Sequence, residues 1–173
     1  MRLYCRDTLY SIPMKKLDLT AHIEAYQYEE FPDDIRALID VAKRQVHNSY
    51  ADYSHFHVGA AVRLANGEII GGSNQENAAY PSGLCAERTA LFYAQAKYPD
   101  VPVKALAIAA WTNGEYTDQP VSPCGSCRQV MLEIEHRMKT PMAVYLYGKK
   151  AVYVIRTADE LLPFSFVKES LFG

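Results

Sequence analysis

The sequence predicts one α/β domain in which helices pack on a mixed sheet, and three observations carry that expectation. Apolar residues recur at helical spacing in three segments, with strand-like runs between them. An Asn66-Gly67 pair separates two such runs, as a two-residue hairpin requires. Residues 103–111 are nearly continuous in apolar side chains, long enough for a buried strand. With 173 residues, 49% of them hydrophobic, the chain can build one full core and has no need of a second domain.

Taken in order, residues 1–31 carry little pattern beyond their tyrosines and are expected to form a partly disordered N-terminal extension, with Cys5 a free thiol and Met14 a natural alternative start. Pro32 with Asp33 and Asp34 opens a helix, because proline suits the first turn and carboxylates there face the positive end of the helix dipole. Ile35, Leu38, Ile39, Ala42 and Val46 give that helix one apolar face, which should cover the sheet. Strands are expected at 58–64 and 68–71, followed by a loop at 74–83 rich in Asn, Gly, Pro and Ser. A second helix, 85–97, is backed by Leu91, Ala94 and Tyr98 and ended by Pro99-Asp100. After the 103–111 strand, Thr112-Asn113-Gly114 turns the chain outward. A third helix, 124–138, directs Val130, Met131 and Ile134 to the core, strands follow at 142–147 and 151–155, and a short helix at 159–162 precedes Pro163. That order gives a mixed α/β sandwich.

Composition excludes several classes of function. A net charge of −2 and a pI near 6.2, without a run of Lys and Arg, give no attraction to a nucleic-acid backbone. No apolar stretch is long enough for a membrane span, and Arg2, Arg6 and Asp7 interrupt the opening residues, so neither anchor nor signal peptide is expected. The partner is expected to be a small molecule, and the compartment a reducing cytoplasm in which cysteines bind metal rather than pair as disulfides.

The chemistry sits in two stretches, Cys85-Ala86-Glu87-Arg88 and Pro123-Cys124-Gly125-Ser126-Cys127. Cys85, Cys124 and Cys127 offer three thiolates to one metal. Structural zinc sites fill four positions with protein ligands, whereas catalytic ones supply three and leave the last to water. Both stretches open predicted helices, where free N–H groups and the dipole favour thiolate. Three thiolates leave excess negative charge on a divalent ion, so a nearby cation is expected: Arg88, one turn from Cys85, and Arg128, beside Cys127, are each placed to hydrogen-bond sulfur. Glu87 points away from the direction Cys85 takes and is therefore free to move protons to and from zinc-bound water.

Cys-x-Glu with a later Pro-Cys-x-x-Cys is the signature of zinc nucleobase deaminases. Together with Tyr53-Ser54-His55-Phe56-His57-Val58-Gly59-Ala60, Asn74-Gln75-Glu76-Asn77-Ala78 and Glu160-Leu161-Leu162-Pro163, these stretches resemble the small, free-nucleoside cytidine deaminases of the three-cysteine type, from about residue 35 to 166. The resemblance implies a three-layer α/β/α fold with a mixed, five-stranded sheet over residues 32–173, one Zn2+ per subunit, and hydrolytic deamination of cytidine and deoxycytidine in pyrimidine salvage. It implies that Asn74 and Glu76 bind the sugar hydroxyls, that Phe56 walls the pyrimidine pocket and that the Ala86 backbone reads the base edge. It further implies a homotetramer with shared active sites, Phe166 and Tyr80 lying near subunit contacts. The chain departs from the family pattern at Asp52, Gln75 and Ser82, around the sugar and base loops rather than the metal.

Other readings share parts of this pattern. A deaminase of DNA or RNA bases would keep the metal and Glu87 but needs a basic, aromatic surface for the strand. A nucleoside-like antibiotic with a cytosine ring is an alternative substrate. A structural zinc module would need a fourth ligand, for which His136 is the nearest candidate, and a thioredoxin-like pair at Cys124 and Cys127 leaves Cys85 and Glu87 without a role.

Overall fold

Pro32 stands at the N-cap of the first long helix, and the helix winds on until its apolar face has been used. In the computed structural model, which describes residues 15–172, this helix is α1, Asp33–Gln45, with Ile35, Leu38, Ile39 and Ala42 buried against the sheet. Ahead of it lies a short strand, β1 (Glu24–Tyr26). The hairpin β2 (His57–Leu64) and β3 (Ile69–Ser73) turns at Gly67, whose φ of 88° needs a residue without a Cβ. Then come α2 (Ala86–Lys97), β4 (Val103–Thr112), β5 (Glu115–Tyr116), α3 (Gly125–Met138), β6 (Ala143–Tyr147), β7 (Val152–Ile155) and a single-turn α4 (Glu169–Phe172). The expectations for Cys5 and for a start at Met14 lie outside the described residues.

The strands form one sheet in the order β1-β7-β6-β4-β2-β3, with β5 added to the end of β4. Only β4 and β6 run parallel, with Ala105 opposite Ala143; the other pairs are antiparallel. Along β4 the side chains alternate, as a pleated strand requires. Ala105, Ala107 and Ala109 face α1, and Leu106 and Ile108 face the layer of α2 and α3. The expected three-layer α/β/α arrangement is therefore present.

One expectation needs correction: among the described residues the sheet has seven strands instead of five. The additional β5 returns from a tight turn in which Asn113 and Gly114 both have positive φ, the geometry of a two-residue hairpin, and at two residues it is too short to carry periodicity. The additional β1 comes from the N-terminal extension and adds an edge strand to the sheet. Glu24 pairs with Val154 of β7, Arg156 Nε donates to Glu24 Oε1 at 2.9 Å, and Phe31 packs edge-on to Tyr145 at 5.7 Å between ring centres. Tyrosines in a stretch without alternation gave no strand signal, yet they cover the sheet face beyond the reach of α1.

Candidate active site

The β3 strand sets the position of α2. A Cβ on Gly72 would lie 2.6 Å from Ala90 N and 2.8 Å from Ala86 O, so the absence of a side chain there lets the first turn of α2 rest directly on the sheet. This brings the start of α2 beside the start of α3. Cys85 and Cys124 occupy the N-cap positions of the two helices, in extended conformation, and Cys127 lies in the first turn of α3. Each thiol thus sits where unpaired backbone N–H groups and the helix dipole favour negative charge.

The three sulfurs converge. Cys85 Sγ lies 3.8 Å from Cys124 Sγ, Cys124 Sγ lies 3.5 Å from Cys127 Sγ, and all three fall within 4.8 Å of one another. A tetrahedral zinc with Zn–S bonds of about 2.3 Å sets its sulfurs about 3.8 Å apart, so the spacing fits that ion. Arg88 Nη2 donates to Cys85 Sγ at 3.4 Å, as expected. The bond from Cys127 and the Arg88 guanidinium together hold the Cys85 thiol down to about 5, well below a free cysteine. His136 is no fourth ligand: its Nε2 lies 2.9 Å from Asp159 Oδ1, at the other end of α3.

Glu87 follows Cys85 by two residues and is only 4% exposed. Burial pushes its carboxyl above the usual carboxylate range, and charge on Cys85 pushes the same way, while a bond to Cys127 opposes them. The arrangement places a buried carboxyl beside the sulfur cluster.

Arg128 behaves differently from expectation and does not bond to sulfur. A residue in the first turn of a helix directs its side chain back toward the N-terminus, which here means onto the preceding loop. Arg128 Nε donates to Pro123 O at 2.9 Å, Nη2 to Ser122 Oγ at 2.7 Å and Nη1 to Leu161 O at 3.0 Å.

A cleft of about 690 Å³ opens onto Cys85, Arg88 and Cys124. Of the expected substrate contacts, Asn74, Glu76 and Tyr80 line it, whereas Phe56, Ala86 and Phe166 do not in the single chain. Residues 74–76 form a strandlet between Tyr50 and Leu84, the residue before Cys85: Tyr50 N donates to Asn74 O, Glu76 N to Tyr50 O, and Gln75 and Leu84 exchange both backbone bonds. Asn74 Oδ1 accepts from Val58 N at 2.8 Å and its Nδ2 donates to Phe56 O at 2.9 Å, which ties the start of β2 to the loop. Glu76 Oε2 accepts from the amides of Tyr53 at 2.8 Å and Ser54 at 3.3 Å; the Ser54 hydroxyl and these amides keep its carboxyl below the ordinary value. Sequence reasoning missed this pair of amides, because a backbone donor leaves no mark in residue type. Gln75 directs Nε2 at Ser73 Oγ, 3.1 Å away. Ala86 is fully buried, while Tyr80 and Phe166 are exposed.

A family model described as the cytidine and deoxycytidylate deaminase zinc-binding region matches residues 32–143, a span that contains the three cysteines and Glu87. The chain is 43% identical over 138 residues to a cytidine deaminase from Sporosarcina psychrophila, covering 80% of this chain and 95% of that protein. It is 28% identical over 137 residues to a blasticidin-S deaminase from Bacillus cereus, covering 76% of this chain and 91% of that one. Among solved structures, the cytidine deaminase from Burkholderia pseudomallei is similar with a TM-score of 0.64 and 42% identity, covering 75% of this chain and 97% of that chain.

Proposed function

Because the chain belongs to the cytidine and deoxycytidylate deaminase family, we propose that it hydrolyses free cytidine and deoxycytidine to uridine and deoxyuridine, releasing ammonia, in pyrimidine salvage. The observation that carries this reading is the sulfur trio at zinc spacing beside a buried glutamate. Cys85, Cys124 and Cys127 hold one Zn2+ per subunit. When bound, zinc supplies Lewis-acid activation of water.

The remaining work falls to the protein's own groups. Glu87 is a proton shuttle: with its carboxyl raised above the usual carboxylate range it accepts a proton from water, passes it to the pyrimidine ring nitrogen, then takes the remaining proton of the added hydroxyl and delivers it to the departing amine. Arg88 draws charge from the Cys85 sulfur. Asn74 and Glu76 bind sugar hydroxyls; Glu76 keeps Oε1 free to accept from a hydroxyl while Oε2 is fixed by two amides. Phe56 walls the base and the Ala86 backbone reads its edge. Phe166 and Tyr80, exposed in the single chain, meet neighbouring subunits of a homotetramer whose active sites are shared. The enzyme is cytoplasmic and acts on a small nucleoside. No helix among the described residues is long and apolar enough to cross a membrane.

Purified protein should lose the cytidine absorbance on incubation with cytidine or deoxycytidine and should carry zinc by direct metal analysis. Bound zinc with no turnover of either nucleoside would contradict the substrate assignment. Similarity to a blasticidin-S deaminase supports a second reading, a cytosine-bearing antibiotic as substrate, and turnover on blasticidin S measured beside cytidine separates the two.

A further inference from the structure

The three metal-binding cysteines are not held equally. Cys127 is fully buried, and Cys85 has the Arg88 guanidinium on its sulfur. Cys124 is exposed, and its only hydrogen-bonding side-chain neighbours among the described residues are the other two sulfurs. Its position must therefore be set through its backbone. Both carbonyls that flank it, Pro123 O before and Cys124 O after, accept from one residue: Arg128 Nε takes the first at 2.9 Å and the Arg128 backbone N–H takes the second at 3.0 Å. Pro123 is itself buried and has no N–H with which to anchor its peptide any other way.

The far side of the guanidinium is also fixed. Nη1 bonds Leu161 O, at the end of a single 3-10 turn, Ala158–Leu161, and that turn is pinned at its start by Glu135, whose Oε2 accepts from Ala158 N at 2.8 Å. Two charged residues of α3 thus grip one turn by opposite backbone groups, the carboxylate taking an amide and the guanidinium a carbonyl.

From this geometry we infer that Arg128 is a positioning residue for the metal site: it closes a ring of hydrogen bonds around Cys124 and braces that ring against the 158–161 turn, holding the exposed thiolate in register with the other two. The inference rests on the reading of the cysteine trio as a zinc site. Loss of an outer hydrogen bond that orients a ligand typically costs about 10–100-fold in metal affinity.

The test compares Arg128→Met, which keeps the volume and removes every side-chain donor, with Arg128→Gln, whose amide nitrogen sits as many bonds from Cα as Arg Nε and so retains the bond to Pro123 O. Zinc-loaded proteins are challenged with excess chromogenic chelator and zinc release is followed. Arg128→Met should release zinc at least tenfold faster than wild type, and Arg128→Gln within about threefold of it. In buffer saturated with zinc, kcat for cytidine should fall in Arg128→Met while KM stays within about twofold, since none of the sugar or base contacts has moved. Release from Arg128→Met at the wild-type rate overturns the inference, and so does equally fast release from both variants. An Arg128→Met chain that loses its fold, by circular dichroism, overturns it too, because Arg128 would then be a general stabiliser. A wild-type protein that binds no zinc would sink the metal reading beneath it, a separate outcome.

Discussion

Glu135 shows how much one side chain can carry away from the reacting groups. It is buried at 7% exposure with no cationic partner among the described residues, yet its carboxylate accepts from three backbone amides, Met142 N at 2.7 Å, Ala158 N at 2.8 Å and Asp159 N at 3.4 Å. It thereby joins the end of α3 to the start of β6 and to the turn after β7. Glu135→Ala would leave buried donors unpaired, each worth about 1–3 kcal/mol, and should destabilise the protein by about 3 kcal/mol. Glu135→Gln keeps an acceptor for the two short bonds and turns an N–H toward Asp159 N, so about 1 kcal/mol is expected. Urea-denaturation midpoints of the two variants check the order. Neither this residue nor Arg128 was legible in its actual role. The sequence shows a Glu and an Arg on a helix, and which backbone groups they meet depends on chain that returns 23 and 33 residues later. The gathering of the three cysteines was legible because Cys-x-x-Cys spacing and placement at helix starts leave their mark in the sequence.

At the scale of elements, the long helices and strands followed from periodicity, and the corrections lie at the margins where pairing outweighs propensity. β1 is held by a partner distant in sequence: Arg156, helped by Tyr26 of the same strand, holds the Glu24 carboxyl down to about 2, from an ordinary value of 4.5. A carboxyl depressed by folding adds stability that is fully present above its unfolded value and is lost as pH falls through its folded one. Pairing of β1 with β7 should therefore weaken between about pH 4.5 and 2, and Glu24→Gln should show less of that dependence. Hydrogen exchange at the β1 amides across that range reads it directly; protection that is independent of pH in both proteins would contradict the role given to Glu24. β5, at two residues, exists because Asn113 and Gly114 accept positive φ. The turn was visible in the sequence and the strand it creates was not.

At the scale of the whole molecule, the sheet serves to bring two helix starts together. Small residues let the layers close: a Cβ on Gly59 would lie 2.1 Å from Ala42 O of α1, and Gly72 does the same for α2 on the other face. Cysteines 39 residues apart in sequence thereby meet at 3.8 Å, and the 74–76 strandlet is hydrogen-bonded to the residue before the first of them, so the loop proposed to hold the sugar and the metal site share one rigid edge. Asn74 and Glu76 line the cleft, while Phe56, Ala86 and Phe166 do not line it in one chain.

Glu87 is proposed to move protons beside a three-cysteine zinc site acting on a free cytosine nucleoside. The most direct measurement is turnover of cytidine by Glu87→Gln with its zinc content determined in the same sample. A full complement of zinc is expected, because the proposed ligands are Cys85, Cys124 and Cys127, with kcat reduced by about 10²–10⁴-fold. A variant that keeps both zinc and wild-type turnover, or one that loses activity only in proportion to lost zinc, would contradict it.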